Sequence, residues 1–66
     1  MHIDVNGKAR EVETGLSVAG LLSELDLDGR LVVVELNRQI VRHTERSEML
    51  LHAGDRIEIV HFVGGG

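Results

Sequence analysis

Four histidines are the first residues here that could hold a metal ion or move a proton: His2, His43, His52 and His61. No two of them stand three or four residues apart, the spacing that places two ligands on one face of a helix. The chain has no cysteine, which excludes thiolate zinc sites, disulfides and chemistry on a cysteine sulfur. Carboxylates could complete a site, but the pattern is unspecific, so we predict surface histidines and no metal.

Motifs for nucleophilic catalysis and phosphate binding are also missing from the sequence. Ser17, Ser23 and Ser47 suit helix caps or the surface, and none lies in a nucleophile elbow. The only glycine cluster has no lysine and no helix after it, so it is not a Walker loop.

That glycine cluster is the C-terminal run Gly64-Gly65-Gly66, which directly follows Val63. Glycine has no Cβ, so such a lead can enter a narrow tunnel in another protein and adopt φ values that other residues avoid. A docked partner would have to activate the carboxylate, for example as an acyl-adenylate. Gly66 would then carry the reacting group, with Gly64 and Gly65 as its flexible lead. The alternative is a frayed or inert tail, since chain termini are often poorly ordered, and the residues alone favour neither.

Length and charge limit the possible functions. The chain has 66 residues, of which 42% are hydrophobic, and a formal net charge of -4, which argues against a nucleic-acid binder. Its longest apolar run, residues 31–34, is far short of the ~20 residues that span a bilayer. The N-terminus does not resemble a signal peptide. We expect a cytoplasmic binding module or carrier, because so short a chain rarely encloses a small-molecule pocket.

The N-terminal part predicts a β-hairpin. Residues 1–5 alternate between apolar and polar, and Asn6-Gly7 is the strongest short signal for a type I′ turn. The returning strand covers residues 8–13. A two-residue loop pairs Val5 with Lys8 and places cationic stems on the apolar face, whereas a three-residue loop with a bulge shifts the register; both remain open.

A single helix is predicted over residues 17–26. Ser17 is its N-cap, Gly29 is the left-handed residue after its end, and Gly20 allows close packing of the helix on the sheet. Its apolar stripe has the i, i+3, i+4, i+7 spacing of a core-facing helix: Val18, Leu21, Leu22 and Leu25.

Three more strands are predicted after the helix. Residues 31–36 are nearly continuously apolar, which predicts a central strand buried on both faces or nearly so. Residues 40–42 form a short strand, and residues 49–51 close the open end of the core. The last strand covers residues 56–63.

The element order β-β-α-β-β-β predicts an α+β chain with the β-grasp fold of ubiquitin-like proteins. One helix packs across a mixed sheet of four or five strands, with the first and last strands parallel at its centre. Residues 1–63 form the single domain and residues 64–66 the tail. The predicted core is Ile3, Val5, Val18, Leu21, Leu22, Leu25, Val33, Ile57 and Ile59.

One helix leaves the other sheet face open, and strand alternation places Val60 and Phe62 there, opposite Ile57 and Ile59. Phe62 is the only aromatic residue. We predict that Phe62 and Val60 contact a partner protein and seat the tail in its active site. Burial of Phe62 in the core is the alternative.

Several motifs together resemble the ThiS family, the sulfur carriers of thiamine biosynthesis. Besides the β-grasp order, they are the Asn6-Gly7 hairpin, Leu36-Asn37 with Ile40-Val41, the segment Gly54-Asp55-Arg-Ile-Glu-Ile-Val, and Val63-Gly64-Gly65-Gly66. The resemblance covers the whole chain. It departs from the family at Arg38, where glycine is frequent, and in lacking a proline after Val41.

The resemblance implies that the chain is a carrier and not itself an enzyme, with no bound cofactor. An E1-like adenylyltransferase activates the Gly66 carboxylate with ATP. Sulfur from a cysteine desulfurase then replaces AMP, and thiazole synthase consumes the resulting thiocarboxylate. The alternatives are the small subunit of molybdopterin synthase and a non-catalytic ubiquitin-like interaction domain.

Overall fold

A computed structural model describes residues 1–62. Val63 and the predicted tail, residues 64–66, lie outside the described residues. The predicted order of strands and helix is confirmed, with two short 3₁₀ helices added: β1 His2–Val5, β2 Lys8–Glu11, α1 Val18–Glu24, a 3₁₀ turn Gly29–Leu31, β3 Val32–Leu36, β4 Gln39–Val41, a 3₁₀ turn His43–Glu45 and β5 Arg56–His61.

The five strands form one mixed sheet in the order β2-β1-β5-β3-β4. β1 and β5 run parallel at its centre, as predicted, and the other neighbours are antiparallel. In the part of the chain that the structure describes, no helix is long and apolar enough to cross a membrane.

The hairpin has a two-residue loop, which is one of the two alternatives that the sequence left open. Asn6 and Gly7 have φ values of 52° and 84°, as a type I′ turn requires, and Ile3 lies opposite Arg10. The cationic stem on the apolar face is accommodated because the Arg10 guanidinium reaches Glu24 of α1 at 3.6 Å. The strand ends at Glu11, two residues earlier than predicted, where the chain turns towards the helix.

The start of α1 follows the prediction for Ser17 but not for Gly20. The Ser17 hydroxyl accepts a hydrogen bond from the Gly20 N–H at 3.0 Å. A Cβ at Gly20 would lie 2.7 Å from Leu16 Cδ1. Gly20 therefore makes room for the side chain that precedes the cap, and the predicted close packing on the sheet is wrong.

The end of α1 also differs from the prediction, because the helix stops at Glu24 and the left-handed residue is Asp26, with φ 58°. The Leu27 N–H donates to the Leu22 carbonyl at 3.0 Å, the bond that closes a helix in a Schellman motif. Gly29 instead opens the first 3₁₀ turn.

The core lies between α1 and one face of the sheet. The prediction that Val33 is buried is wrong: its neighbours Val32 and Val34 are fully buried and Val33 is half-buried. One helix covers only one sheet face, so β3 alternates and is not buried on both faces. Val5 and Leu25 pack partly buried against the core. The buried side chains are Ile3, Val12, Val18, Leu21, Leu22, Val32, Val34, Val41, Leu51, Ile57 and Ile59.

The stretch between β4 and β5 is anchored by a buried arginine that the sequence pattern did not predict. Arg46 is 6% exposed, and its guanidinium donates to the carbonyls of Gly29 at 2.7 Å and Val32 at 2.8 Å. Burial lowers the pKa of Arg46. These bonds hold the start of β3 against the segment whose Leu51 closes the core.

Candidate partner-binding surface

The strand β5 is the described element that precedes the predicted reactive end in the chain. Ile57 and Ile59 are 0% and 8% exposed, whereas Val60 and Phe62 are 59% and 53% exposed. Val60 and Phe62 therefore lie on the sheet face that α1 does not cover. Their contact with a partner stays a prediction.

Two further apolar residues border them, Val33 from β3 and Leu31 from the 3₁₀ turn that precedes β3. Val33 is the cross-strand partner of Val60, and the Leu31 carbonyl accepts a hydrogen bond from the Phe62 N–H at 2.8 Å. Leu31 is 52% exposed. These four residues, Leu31, Val33, Val60 and Phe62, are called the apolar strip below.

Charged residues occupy the same face farther from the end of β5. Glu35 and Glu58 lie directly opposite each other on β3 and β5, and like charges in that relation destabilise a strand pair. Within residues 1–62 neither glutamate has a salt bridge within 4.0 Å, although Arg38 and Arg56 line the same shallow depression of about 300 Å³. The open face is thus charged near the start of β5 and apolar near its end.

The histidines do not gather into a site in the described part of the chain. His2 Nε2 lies 3.0 Å from Glu11, and His52 Nδ1 lies 4.0 Å from Asp55. Over residues 1–62 no group of three potential ligands among His, Asp and Glu could hold a metal ion.

The sequence predicted that Val60 and Phe62 lie on the open face but did not predict Leu31 and Val33 beside them. The missing signal is the register of β3 against β5, which pairs Val33 with Val60. An unbroken run of apolar residues does not reveal which of them face outward. Gly64, Gly65 and Gly66, the predicted reactive end and its lead, lie outside the described residues.

Comparison with known proteins identifies the family. The ThiS family model matches residues 3–66, nearly the whole chain. The chain belongs to the ThiS family. The sulfur carrier protein ThiS of Bacillus subtilis is 39% identical over 66 residues, which cover 97% of this chain and 98% of that protein.

A solved structure of the ThiS family has the same fold. The crystal structure of the thiamine biosynthesis protein ThiS from Geobacter metallireducens superimposes with a TM-score of 0.88 at 35% identity, over 100% of both chains. The β-grasp prediction is therefore confirmed, and so is the resemblance to the sulfur carriers of thiamine biosynthesis.

A longer relative links this family to an enzyme. A thiazole synthase of Paramagnetospirillum magneticum is 39% identical over the full length of this chain. The chain spans only 20% of the length of that relative. A ThiS-like region thus occurs within a protein named as a thiazole synthase.

Proposed function

We propose that this chain is the sulfur carrier for thiazole formation in thiamine biosynthesis, with the carboxyl carbon of Gly66 as the atom that carries sulfur. The observation that supports this most is the ThiS family match, which extends to Gly66 itself. The chain supplies the carboxylate and the docking surface, and its partners supply the catalytic groups.

The reaction has two steps, the first at a carboxylate oxygen of Gly66 and the second at its carboxyl carbon. A Gly66 carboxylate oxygen attacks the α-phosphorus of ATP in an E1-like adenylyltransferase, and pyrophosphate leaves. A cysteine desulfurase provides sulfur as a persulfide, and a thiol reductant supplies the two electrons that bring it to the level of sulfide. This sulfide equivalent attacks the acyl carbon, and AMP leaves with that oxygen. The product is a Gly66 thiocarboxylate. The absence of cysteine from the sequence suits this chemistry, because no thiol of the carrier competes for the activated acyl group.

The apolar strip is the proposed docking surface for these partners. Val60 and Phe62 expose more than half of their surface on the strand that leads to the tail. Buried aromatic side chains at the centre of an interface often supply much of the binding energy, which makes Phe62 the expected anchor of the strip. Seating the strip on the adenylyltransferase would direct the tail into its active site.

Thiazole synthase is the proposed consumer of the sulfur. The ThiS-like region in the thiazole synthase of Paramagnetospirillum magneticum supports this, because physical linkage of two domains raises their effective concentration for each other. The same strip would serve both partners in turn, once for loading and once for delivery.

The intact mass of protein purified from its own host tests the proposal. Replacement of one carboxyl oxygen by sulfur raises the mass by the difference between the two atoms. Incubation with the adenylyltransferase, ATP and the desulfurase system should produce the same mass increase. An unchanged mass after that incubation would favour a non-catalytic ubiquitin-like interaction domain.

Variants of the tail locate the reacting atom. Removal of Gly66 recesses the carboxylate by about 3.5 Å, and because a misplacement of about 1 Å can cost about 100-fold, ATP–pyrophosphate exchange should nearly cease. One residue added after Gly66 should have the same effect by converting the carboxylate into a peptide. Gly65→Ala should bind normally but react slowly, since a methyl group obstructs a narrow tunnel. Parent-like exchange by the extended variant would contradict the proposal.

A further inference from the structure

Two asparagine side chains hold β5, one at its first residue, Arg56, and one at its fourth, Ile59. Asn6 and Asn37 have φ values of 52° and 50° and each opens a two-residue turn. The Asn37 Oδ1 accepts a hydrogen bond from the Arg56 N–H at 2.9 Å, at the start of β5. The Asn6 Oδ1 accepts one from the Ile59 N–H at 2.8 Å, and the Asn6 Nδ2 donates to the Ile59 carbonyl at 3.3 Å.

Asn6 acts where the backbone ladder between β1 and β5 has ended. The two strands pair at Val5 and Ile57, and the Asn6 N–H donates to the Ile57 carbonyl at 2.9 Å. The chain then turns away into β2. The two side-chain bonds to Ile59 carry the ladder one step farther towards the end of β5, in place of a strand residue.

The two flanks of β5 are therefore held to different points. On the β3 side, backbone bonds continue as far as Phe62, whose N–H donates to the Leu31 carbonyl. On the β1 side, among residues 1–62, the Asn6 side chain is the last group bonded to β5, at Ile59. Residues 60–62 are thus held on the β3 side only. A strand held on one side only can roll about that side, so the Asn6 bonds to Ile59 are the last on the β1 side that fix the orientation of the end of β5.

We propose that Asn6 is a positioning residue for the reaction of Gly66, acting through β5 and not through contact with a substrate. This inference rests on the proposed function. Asn6 aligns the end of β5 so that the carboxylate reaches the adenylyltransferase at the reactive angle. It contributes to the rate within the complex, whereas the apolar strip contributes to its affinity.

The pair Asn6→Gly and Asn37→Gly tests this directly. Glycine keeps the left-handed conformation that each turn requires, so each variant loses only its side-chain hydrogen bonds. Both asparagines stand in the same type of turn and both bond to β5, Asn37 at its first residue and Asn6 at its fourth. Asn37→Gly is therefore the matched control. Asn6→Asp keeps an acceptor for the Ile59 N–H but replaces the donor with a carboxylate oxygen, which cannot bond the Ile59 carbonyl.

The primary measurement is ATP–pyrophosphate exchange by the E1-like adenylyltransferase at increasing carrier concentration. Asn6→Gly should lower kcat by about tenfold or more, given the about 100-fold cost of a 1 Å misplacement, with KM within about twofold of the parent. Asn37→Gly should leave both constants within about twofold, and Asn6→Asp should have an intermediate kcat.

Amide hydrogen exchange gives a second readout that does not depend on activity. Asn6→Gly should remove protection from the Ile59 amide, and Asn37→Gly from the Arg56 amide, with similar losses in melting temperature. If Asn6→Gly is unfolded at the assay temperature, the kcat of Asn6→Asp tests the inference instead. An Asn6→Asp kcat equal to that of the parent chain would overturn the inference.

Equal kcat losses in the two glycine variants would mean that Asn6 serves stability alone and would overturn the inference. A parent-like kcat in Asn6→Gly with an unprotected Ile59 amide would also overturn it, while the proposed function would stand. Absence of exchange with the parent chain would instead defeat the proposed function, and this inference with it.

Discussion

The substitution Phe62→Ala separates docking from folding. Phe62 lies at the end of the apolar strip and is 53% exposed. If the adenylyltransferase covers that exposed part, removal of the ring should weaken binding. Stability should change less, because the ring is not part of the buried core.

The size of the effect follows from the area that the partner would cover. A phenylalanine buries about 150–250 Å² when fully enclosed, and roughly half of that, about 100 Å², is still exposed here. At about 25 cal/mol per Å² this amounts to about 2.5 kcal/mol, or an about 70-fold increase in Kd. The free energy of unfolding should fall by about 1 kcal/mol, the typical value for a point mutant.

Leu50→Ala is the matched control. Leu50 is 49% exposed and forms an isolated bridge with Ser17 next to α1, away from the open sheet face. Titration calorimetry with the adenylyltransferase should show a raised Kd for Phe62→Ala alone, while the two variants unfold alike in denaturant. A parent-like Kd for Phe62→Ala, or a loss of stability in the range of core substitutions, would refute the argument.

Three further predictions concern stability. Leu22→Ala should lower the free energy of unfolding by about 2–5 kcal/mol in urea titration, because Leu22 is only 4% exposed; a loss below about 1 kcal/mol would mean that it does not pack as the structure shows. Arg38→Gly should raise it by up to about 1 kcal/mol, since relief of the φ of 71° at Arg38 outweighs the added freedom of glycine in the unfolded chain; a melting temperature below the parent's would contradict this. Hydrogen bonds from Arg30 lower the pKa of Asp28 from 3.8 to about 2, so its contribution is present above pH 3.8 and is lost as the pH falls towards 2. Asp28→Asn should remove that part of the acid sensitivity, and unchanged acid titration curves would disprove it.

Local patterns predicted the parts of the fold that local chemistry decides. Asn6-Gly7 forms the predicted turn because few residues tolerate two consecutive positive φ values. The stripe that contains Leu21 and Leu22 is buried because helical spacing alone places those residues on one face. Alternation likewise distinguished Ile59 from Val60.

Features that depend on distant partners escaped prediction. The side of the sheet that Val33 faces is set by its pairing with Val60, and an unbroken apolar run carries no trace of that register. Arg46 is buried because the carbonyls of Gly29 and Val32 accept its protons, and those groups meet only in the folded chain. Asp26 takes the left-handed conformation that closes α1, although glycine is the preferred residue for it. The sequence had therefore pointed to Gly29, three residues farther along.

The candidate partner-binding surface also has a part that the sequence predicted and a part that it did not. The sequence predicted Phe62 and Val60 on the open face because alternation is local, and Leu31 and Val33 were missed because they join them only through the β3–β5 register. The role of Asn6 was not predicted either. Its turn preference was visible in the sequence, but its bonds to Ile59 span 53 positions along the chain.

Chain length connects the apolar strip to the proposed chemistry. Four residues follow Phe62, and even fully extended they span at most about 14 Å. Under the proposed function, the partner groups that react with the Gly66 carboxylate would lie within that distance of the Phe62 backbone. Ile40 is more exposed, at 69%, but it lies on the edge strand β4, two strands away from β5. A partner seated there would have to bridge β3 before it could meet the tail. This geometry favours the end of β5 as the proposed docking surface, since the strand that would bind the partner would also deliver the carboxylate.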